Sequence, residues 1–268
     1  MSRALVHALL TCRPAPLALA VLAYLAGVVA IAERLRIAAI TLGLRLPRTT
    51  AARIGLSAVL ASHLSFGAAA AEATRLVWLR RFLGDARESG RTLFAILAVD
   101  RVADGAAIAT MVLAGLLRAR TDARPLVLGL APLAIAAVVL LVVSKLSPVV
   151  APRRLAIGSG RALPAALSAW AFDLLRLYVV GRAVGLSLDL RACCALAIAA
   201  IIGGQVPTPA GLVAVEAALV GAGTWLALPP GALAAFVVVD RILTLGLGTV
   251  LGAVASFCLA RTPIRRNP

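Results

Sequence analysis

Long, unbroken apolar runs occupy most of this chain and leave few folds open to it. Residues 15–32, 92–117, 125–144, 162–181 and 232–260 are rich in Ala, Leu and Val. About 20 such residues suffice to carry a helix across roughly 30 Å of hydrocarbon. Lipid offers no partner to an open backbone, so only helices and closed barrels span it. Barrel strands would alternate apolar and polar residues over about 10 positions, and these runs do not alternate. Composition agrees: 62% of residues are apolar and 14% charged, against roughly 45–50% and about 25% in soluble domains. An ordinary soluble enzyme is excluded, and the expected fold class is all-α, a polytopic integral membrane protein.

Two further apolar regions are interrupted near their middles. Region 50–82 breaks at Ser65-Phe66-Gly67, and region 190–228 breaks between Gly203 and Gly211, where Pro207 and Pro209 cannot continue a helix. Each reads as a re-entrant helical hairpin that returns to the side it left. With that assignment, loops 33–53, 75–91, 145–161 and the C-terminal tail carry 17 cations, and the opposite loops carry 7. The cation-rich side, with the C-terminus, is then cytoplasmic. The net charge of +16 suits anionic headgroups, and nucleic acid is not an expected partner because no polar domain exists to bind it. Arginine supplies 26 of the 27 cations, a bias that suggests a bacterial inner membrane. The start of the chain does not read as a cleaved signal peptide.

The polar residues inside the apolar runs repeat. Glu33-x-Leu-Arg36 resembles Asp173-x-Leu-Arg176, Gly67 and Glu72 resemble Gly211 and Glu216, and Asp100-Arg101 resembles Asp240-Arg241, at offsets of 140, 144 and 140. Each unit, 15–117 and 162–260, reads as span, broken hairpin, span. Both lie within one transmembrane domain of residues 1–268, joined by a connecting helix at 125–144. A single connecting span turns the second unit over, giving an inverted-topology repeat of the kind transporters build around a midplane site.

Charges at bilayer depth cost roughly 2.5–3.5 kcal/mol each on insertion scales, so they face a partner or a wet cavity. Glu72, Asp100, Arg101, Asp104, Asp173, Arg176, Glu216, Asp240 and Arg241 form this set. Glu72 with Arg75, and Asp173 with Arg176, share a helix face, either as internal salt bridges or as parts of a site. Arg101 and Arg241 each follow an acid whose side chain diverges, which leaves a guanidinium fork partly free for phosphate oxygens. The second arm of each hairpin turns its N-terminus inward, adding N–H groups for an anion. The candidate substrate-binding set is therefore Glu72, Arg75, Asp100, Arg101, Asp173, Arg176, Gly211, Glu216, Asp240 and Arg241. His63 reads as a packed residue or a proton relay, and the Trp and Tyr residues as interfacial anchors or packing. Cys12, Cys193, Cys194 and Cys258 read as packing residues. No Walker, GxSxG, HExxH or Cys–His metal pattern is present, so no cofactor, metal or catalytic set is expected.

The run Pro207-Thr208-Pro209-Ala210-Gly211-Leu212-Val213-Ala214-Val215-Glu216-Ala217-Ala218, followed by Asp240-Arg241-Ile242-Leu243-Thr244, resembles the lysylphosphatidylglycerol synthase transmembrane, or flippase-like, family. Gly67, Glu72, Arg75, Asp100-Arg101 and Asp104 are similar to its earlier segments, and the resemblance covers roughly residues 15–260. Ala210 stands where the family has a glycine, and Ser65-Phe66 lacks its usual proline. The resemblance implies an inner-membrane protein that moves or handles a lipid, standing alone without an aminoacyl-transferase half. The expected function is translocation of an anionic, phospho- or polyprenyl-lipid headgroup, with the bilayer lipid as substrate. Arg101 and Arg241 would hold phosphate, while Glu72 and Glu216 would pair with them in alternate states or bind a proton or a cationic headgroup. The alternatives are a membrane-embedded transferase, or a scaffold, in hopanoid or polyprenyl-lipid metabolism. A second copy of the chain or a lipid-synthesis enzyme is the expected protein partner.

Overall fold

Prolines start two of the long helices and glycines stop them. The computed structural model describes residues 12–65, 67–83, 89–117, 152–206, 208 and 213–262, which are helix, turn or short loop with no strand among them. The expected connecting helix 125–144 and Gly211 lie outside the described residues. Helix α1 (Pro14–Thr41) opens on a proline, whose missing N–H is harmless in a first turn. It closes at Gly43, where φ is +91°. There the Leu44 N–H donates to Ala39 O (2.9 Å) and the Gly43 N–H to Ile40 O (3.0 Å), a Schellman cap. Helix α5 (Pro152–Ala183) ends the same way at Gly185, φ +84°, with Leu186 N–H donating to Gly181 O (2.8 Å). The expected spans 15–32 and 162–181 are therefore cores of longer helices.

Helices α2 (Arg48–Leu64) and α3 (Ala68–Leu83) form the first broken region, and α6 (Leu190–Gly204) and α7 (Ala214–Trp225) the second. Asp189 caps α6 by accepting the Ala192 N–H at 2.7 Å. Gly67 ends the first break with φ +57°. A β-carbon there would lie 3.4 Å from Gly204 O and 3.7 Å from Val206 O, so the two breaks touch each other. Helix α4 (Ser89–Leu117) closes the first unit. The second unit closes with α8 (Pro230–Arg241), a π-helical turn at Ile242–Leu247, and α9 (Gly248–Ala260).

Helices α1 and α5 form the central pair and run antiparallel. At one end Arg13 N–H donates to Ala183 O (3.1 Å), and at the other Gly158 lies against the Thr41 methyl. Around them α4 packs on α5, α9 on α2, and α4 on α6. Two apolar cores result. Leu35, Leu46, Ile54, Leu79, Leu155 and Leu259 fill the Thr41 end, and Leu186, Leu188, Cys193, Leu219, Leu233 and Phe236 fill the other. Arg45, Arg48, Arg80, Arg153, Arg154 and Arg261 belong to segments that meet at the Thr41 end. Leu22, Val29, Val250, Val254 and Phe257 are more than half exposed, giving the outside an apolar surface. Pro14–Thr41, Arg153–Ala183 and Pro230–Ala260 are each long and apolar enough to cross a membrane. In α4, Asp100, Arg101 and Asp104 interrupt the apolar run.

Close approach of α9 to α2 depends on two glycines four apart, Gly248 and Gly252, a spacing that lets helix backbones come together in lipid. A β-carbon on Gly252 would meet Leu56 O at 2.6 Å and Leu60 Cβ at 2.7 Å. Backbone cannot swing aside, so Gly252→Ala is expected to destabilise by about 1–3 kcal/mol. Thermal unfolding in detergent checks this, with Gly246→Ala, which meets nothing within 4 Å, as the neutral control.

Candidate functional site

The charged residues of the first unit converge from three helices, and a tryptophan of the second unit joins them. From α1, Arg34 donates through Nε to Asp100 Oδ1 (2.7 Å) and through Nη2 to Asp100 Oδ2 (3.2 Å), and its Nη1 pairs with Asp104. From α3, Arg75 Nη1 donates to Glu72 Oε1 (3.0 Å) and to Asp100 Oδ2 (3.4 Å). From α4, Arg101 pairs with Glu72 and donates to Asp104 Oδ2 at 3.3 Å. From α5, the Trp170 indole N–H donates to Asp104 Oδ1 at 3.0 Å. Arg34 and Asp100 are 3% and 1% exposed, where an unpaired charge would be prohibitive. Three guanidinium groups therefore balance three carboxylates.

The second unit builds a smaller arrangement. Arg176 donates through Nη2 and Nε to Asp173 Oδ1 (2.8 and 3.1 Å), and its Nη1 pairs with Asp240 of α8. Arg241 Nε donates to Glu216 Oε1 at 2.6 Å. Glu216 occupies the first turn of α7, where its own carboxylate answers the helix dipole. The π turn begins directly after Arg241, and single π turns recur at functional sites.

A cavity of about 380 Å³ joins the two groups. Arg34, Arg75, Arg101 and Asp104 wall one part, Asp173 and Arg176 another, with Tyr24 and Trp170 completing the polar lining. Ala197, Ala200 and Ile201 of α6 add an apolar face. Among the described residues, Arg75 Nε and Arg101 Nε are buried without an acceptor. The wall thus offers guanidinium donors beside apolar and aromatic surface, a chemistry suited to an amphiphile with an anionic head.

The model of the lysylphosphatidylglycerol synthase TM region family matches residues 2–252. The chain belongs to that family. No curated protein matches it. Family membership and the apolar helices make it a membrane-embedded, multi-pass protein linked to lipid metabolism or handling.

Of the ten candidate residues, Arg75, Arg101, Asp173 and Arg176 line the cavity. Glu72 and Asp100 hold the arginines from behind, whereas Glu216, Asp240 and Arg241 are not part of its wall. Both expected i, i+3 salt bridges are present. Arg101 and Arg241 are not the partly free groups expected: Arg101 meets three carboxylates and Arg241 is paired with Glu216. Glu72 pairs with Arg101 and Glu216 with Arg241 in this structure. His63 Nδ1 lies 3.0 Å from Thr249 Oγ1, tying α2 to α9.

Arg34 was not among the candidates, because an apolar run ending at residue 32 places it in a loop. The helix instead continues to its cap at Gly43, and Arg34 faces inward. Its counterpart is Arg176: the two are 142 residues apart, as are the caps Gly43 and Gly185. The Glu33–Arg36 pair matched earlier to Asp173–Arg176 is two residues out of this register and lies at the basic end beside Arg48. Trp170 and Tyr24 also belong to the cavity rather than to an interfacial belt.

Proposed function

We propose that this protein translocates a phosphate-bearing membrane lipid, holding the headgroup in the arginine-walled cavity while the acyl or prenyl chains stay in the bilayer. The observation that carries this reading is the cavity itself. It presents Arg34, Arg75, Arg101 and Arg176, each well inside its helix, in a protein whose outer faces are apolar. The inverted-repeat reading is supported by the contact between the two breaks and by reciprocal packing, α9 on α2 and α4 on α6. The first hairpin starts from the basic end and the second from the opposite end, so both reach the centre as re-entrant arms. We place the basic end in the cytoplasm of a bacterial inner membrane.

Purified protein in lipid vesicles, with no nucleotide present, is expected to move fluorophore-labelled phosphatidylglycerol or polyprenyl phosphate between leaflets. Labelled lipid that stays in its original leaflet overturns the reading. Sidedness has a separate check. Cysteines introduced at Arg45 and Arg154 in a cysteine-free background are expected to react only with reagent reaching the cytoplasm, and one at Ser187 only from outside. Labelling of Arg45→Cys and Ser187→Cys from one side would rule out the arrangement.

A further inference from the structure

The cavity is wider than a phosphate group needs. Ala23 and Gly27 of α1, Ala169 of α5, and Ala197 and Ala200 of α6 face it with at most a methyl group. The space they leave, about 380 Å³, lies within the roughly 300–1,000 Å³ that accommodates a whole small molecule. A phosphate seated on Arg75 and Arg101 fills a small part of it. Arg75 is nine-tenths buried, and the Nε of each arginine has no acceptor among the described residues, which sets the anion at this end.

Side-chain contacts order the rest of the wall. Arg101 donates to Asp104 Oδ2 at 3.3 Å, and Asp104 Oδ1 accepts the Trp170 indole N–H at 3.0 Å. Trp170 lies one helical turn before Asp173 on α5, so both stand on one face. Its N–H is committed to Asp104, which leaves the ring as the surface it offers a ligand. Asp173 accepts both Arg176 hydrogen bonds on Oδ1, at 2.8 and 3.1 Å, and its Oδ2 has no partner among the described residues. The side chain is 33% exposed and lines the cavity, so Oδ2 is the acceptor it offers there. Tyr24 of α1 closes this end. Its hydroxyl comes within 2.6 Å of where a Gly248 β-carbon would stand, and it has no hydrogen-bond partner among the described residues either. Glu72 and Glu216 each carry a buried oxygen without a donor, but neither side chain lines the cavity.

We propose that the headgroup held here is a ring polyol joined to its lipid through phosphate, the chemistry shared by glycosyl polyprenyl phosphates and phosphatidylinositol. The phosphate meets Arg75 and Arg101, the ring lies against Trp170, and a ring hydroxyl donates to Asp173 Oδ2. A hydroxyl on a carboxylate makes a charge-assisted hydrogen bond, roughly twice as strong as a neutral one. The C–H face of the ring suits the indole, whose surface is apolar. A hydroxyl also accepts, which answers the unused donor of Tyr24. An ammonium donates only, and at Oδ2 it would stand beside the guanidinium that already holds Oδ1. The inference rests on the translocation reading, in which this cavity receives the headgroup.

Thermal unfolding of the purified protein, titrated with lipid in a detergent whose headgroup is not a sugar, gives apparent affinities. The ring-bearing probes are phosphatidylinositol and a glucosyl polyprenyl phosphate. Each is compared with the methyl phosphodiester on the same chains, which has the same charge and no hydroxyl. The wild type is expected to bind a ring lipid at least about tenfold more tightly than its methyl reference, the gain of one charge-assisted hydrogen bond. The probe with the larger gain names the source of the ring. Asp173→Asn keeps an oxygen for Arg176 but turns the Oδ2 acceptor into a donor. It is expected to erase most of the preference while binding the methyl reference at least as well. Tyr24→Phe is expected to reduce the preference several-fold, and Arg75→Gln to weaken ring and methyl lipids alike. Unfolding without lipid establishes that each variant is folded. Equal affinity for ring and methyl lipids in the wild type overturns the ring-polyol inference and leaves the phosphate site standing. Tighter binding of phosphatidylethanolamine than of either ring lipid overturns it in favour of an amine. A preference that survives both Asp173→Asn and Tyr24→Phe overturns the placement of the ring. No binding of any phosphodiester lipid overturns the translocation reading itself.

Discussion

Arg34→Met is expected to cost the fold about 3–5 kcal/mol, the usual penalty for removing one partner of a buried ion pair. Arg34 is 3% exposed and binds Asp100, 1% exposed, through two nitrogens. Its loss leaves the Asp100 carboxylate with only the longer contacts to Arg75 (3.4 Å) and Arg101 (3.6 Å). Trp170 reports the same event, because its indole shares Asp104 with Arg34. Denaturant unfolding in detergent, followed by tryptophan fluorescence, reads the change. Arg36→Met, two residues along, is expected to cost about 1 kcal/mol or less, since its pair with Glu33 is partly exposed on both sides. Combining Arg34→Met with Asp100→Asn is expected to recover much of the loss, because the penalty comes from the stranded carboxylate. Equal effects of Arg34→Met and Arg36→Met would contradict the network described above.

On the proposed translocation function, Arg101→Gln is expected to slow lipid flipping at least about tenfold, equivalent to roughly 1.4 kcal/mol, within the range of one charge-assisted hydrogen bond. Arg101 is the most exposed cavity arginine, with its side chain 37% accessible. It is therefore the guanidinium most open to a headgroup and the least essential to the buried core. Arg101→Lys is expected to restore only part of the rate, since an ammonium keeps the charge but loses the planar fork. The readout is the rate of fluorescent-lipid flipping per folded protein in vesicles. An unchanged rate in Arg101→Gln would remove this side chain from the transport path.

Much of the architecture was legible in the residues before any helix was packed. Apolar runs without alternation specify membrane helices, since nothing else pairs the backbone in lipid. Gly67 in the first region, and the prolines and glycines between 203 and 211 in the second, mark the two breaks. The recurring acids and arginines mark a polar interior, because charge at that depth survives only with a partner. Helix ends were harder to read. Hydropathy drops at Glu33, but a helix stops where its last carbonyls are satisfied, and for α1 that is the cap at Gly43, ten residues on.

Partnership was decided only by the tertiary structure. Arg34 and Arg36 are alike in sequence, on one helix and two residues apart. About 100° of rotation per residue sends one into the interior to Asp100 and Asp104, and the other to the basic end with Glu33. Asp173 and Asp240 are 67 residues apart, and nothing in their spacing reveals that they share one guanidinium. That follows from α8 crossing α5 at the level of Arg176. Residue types determined that this protein would bury ion pairs within a membrane. The crossing of its helices decided which acids and arginines meet, and set Asp173 and Asp240 on the one guanidinium of Arg176.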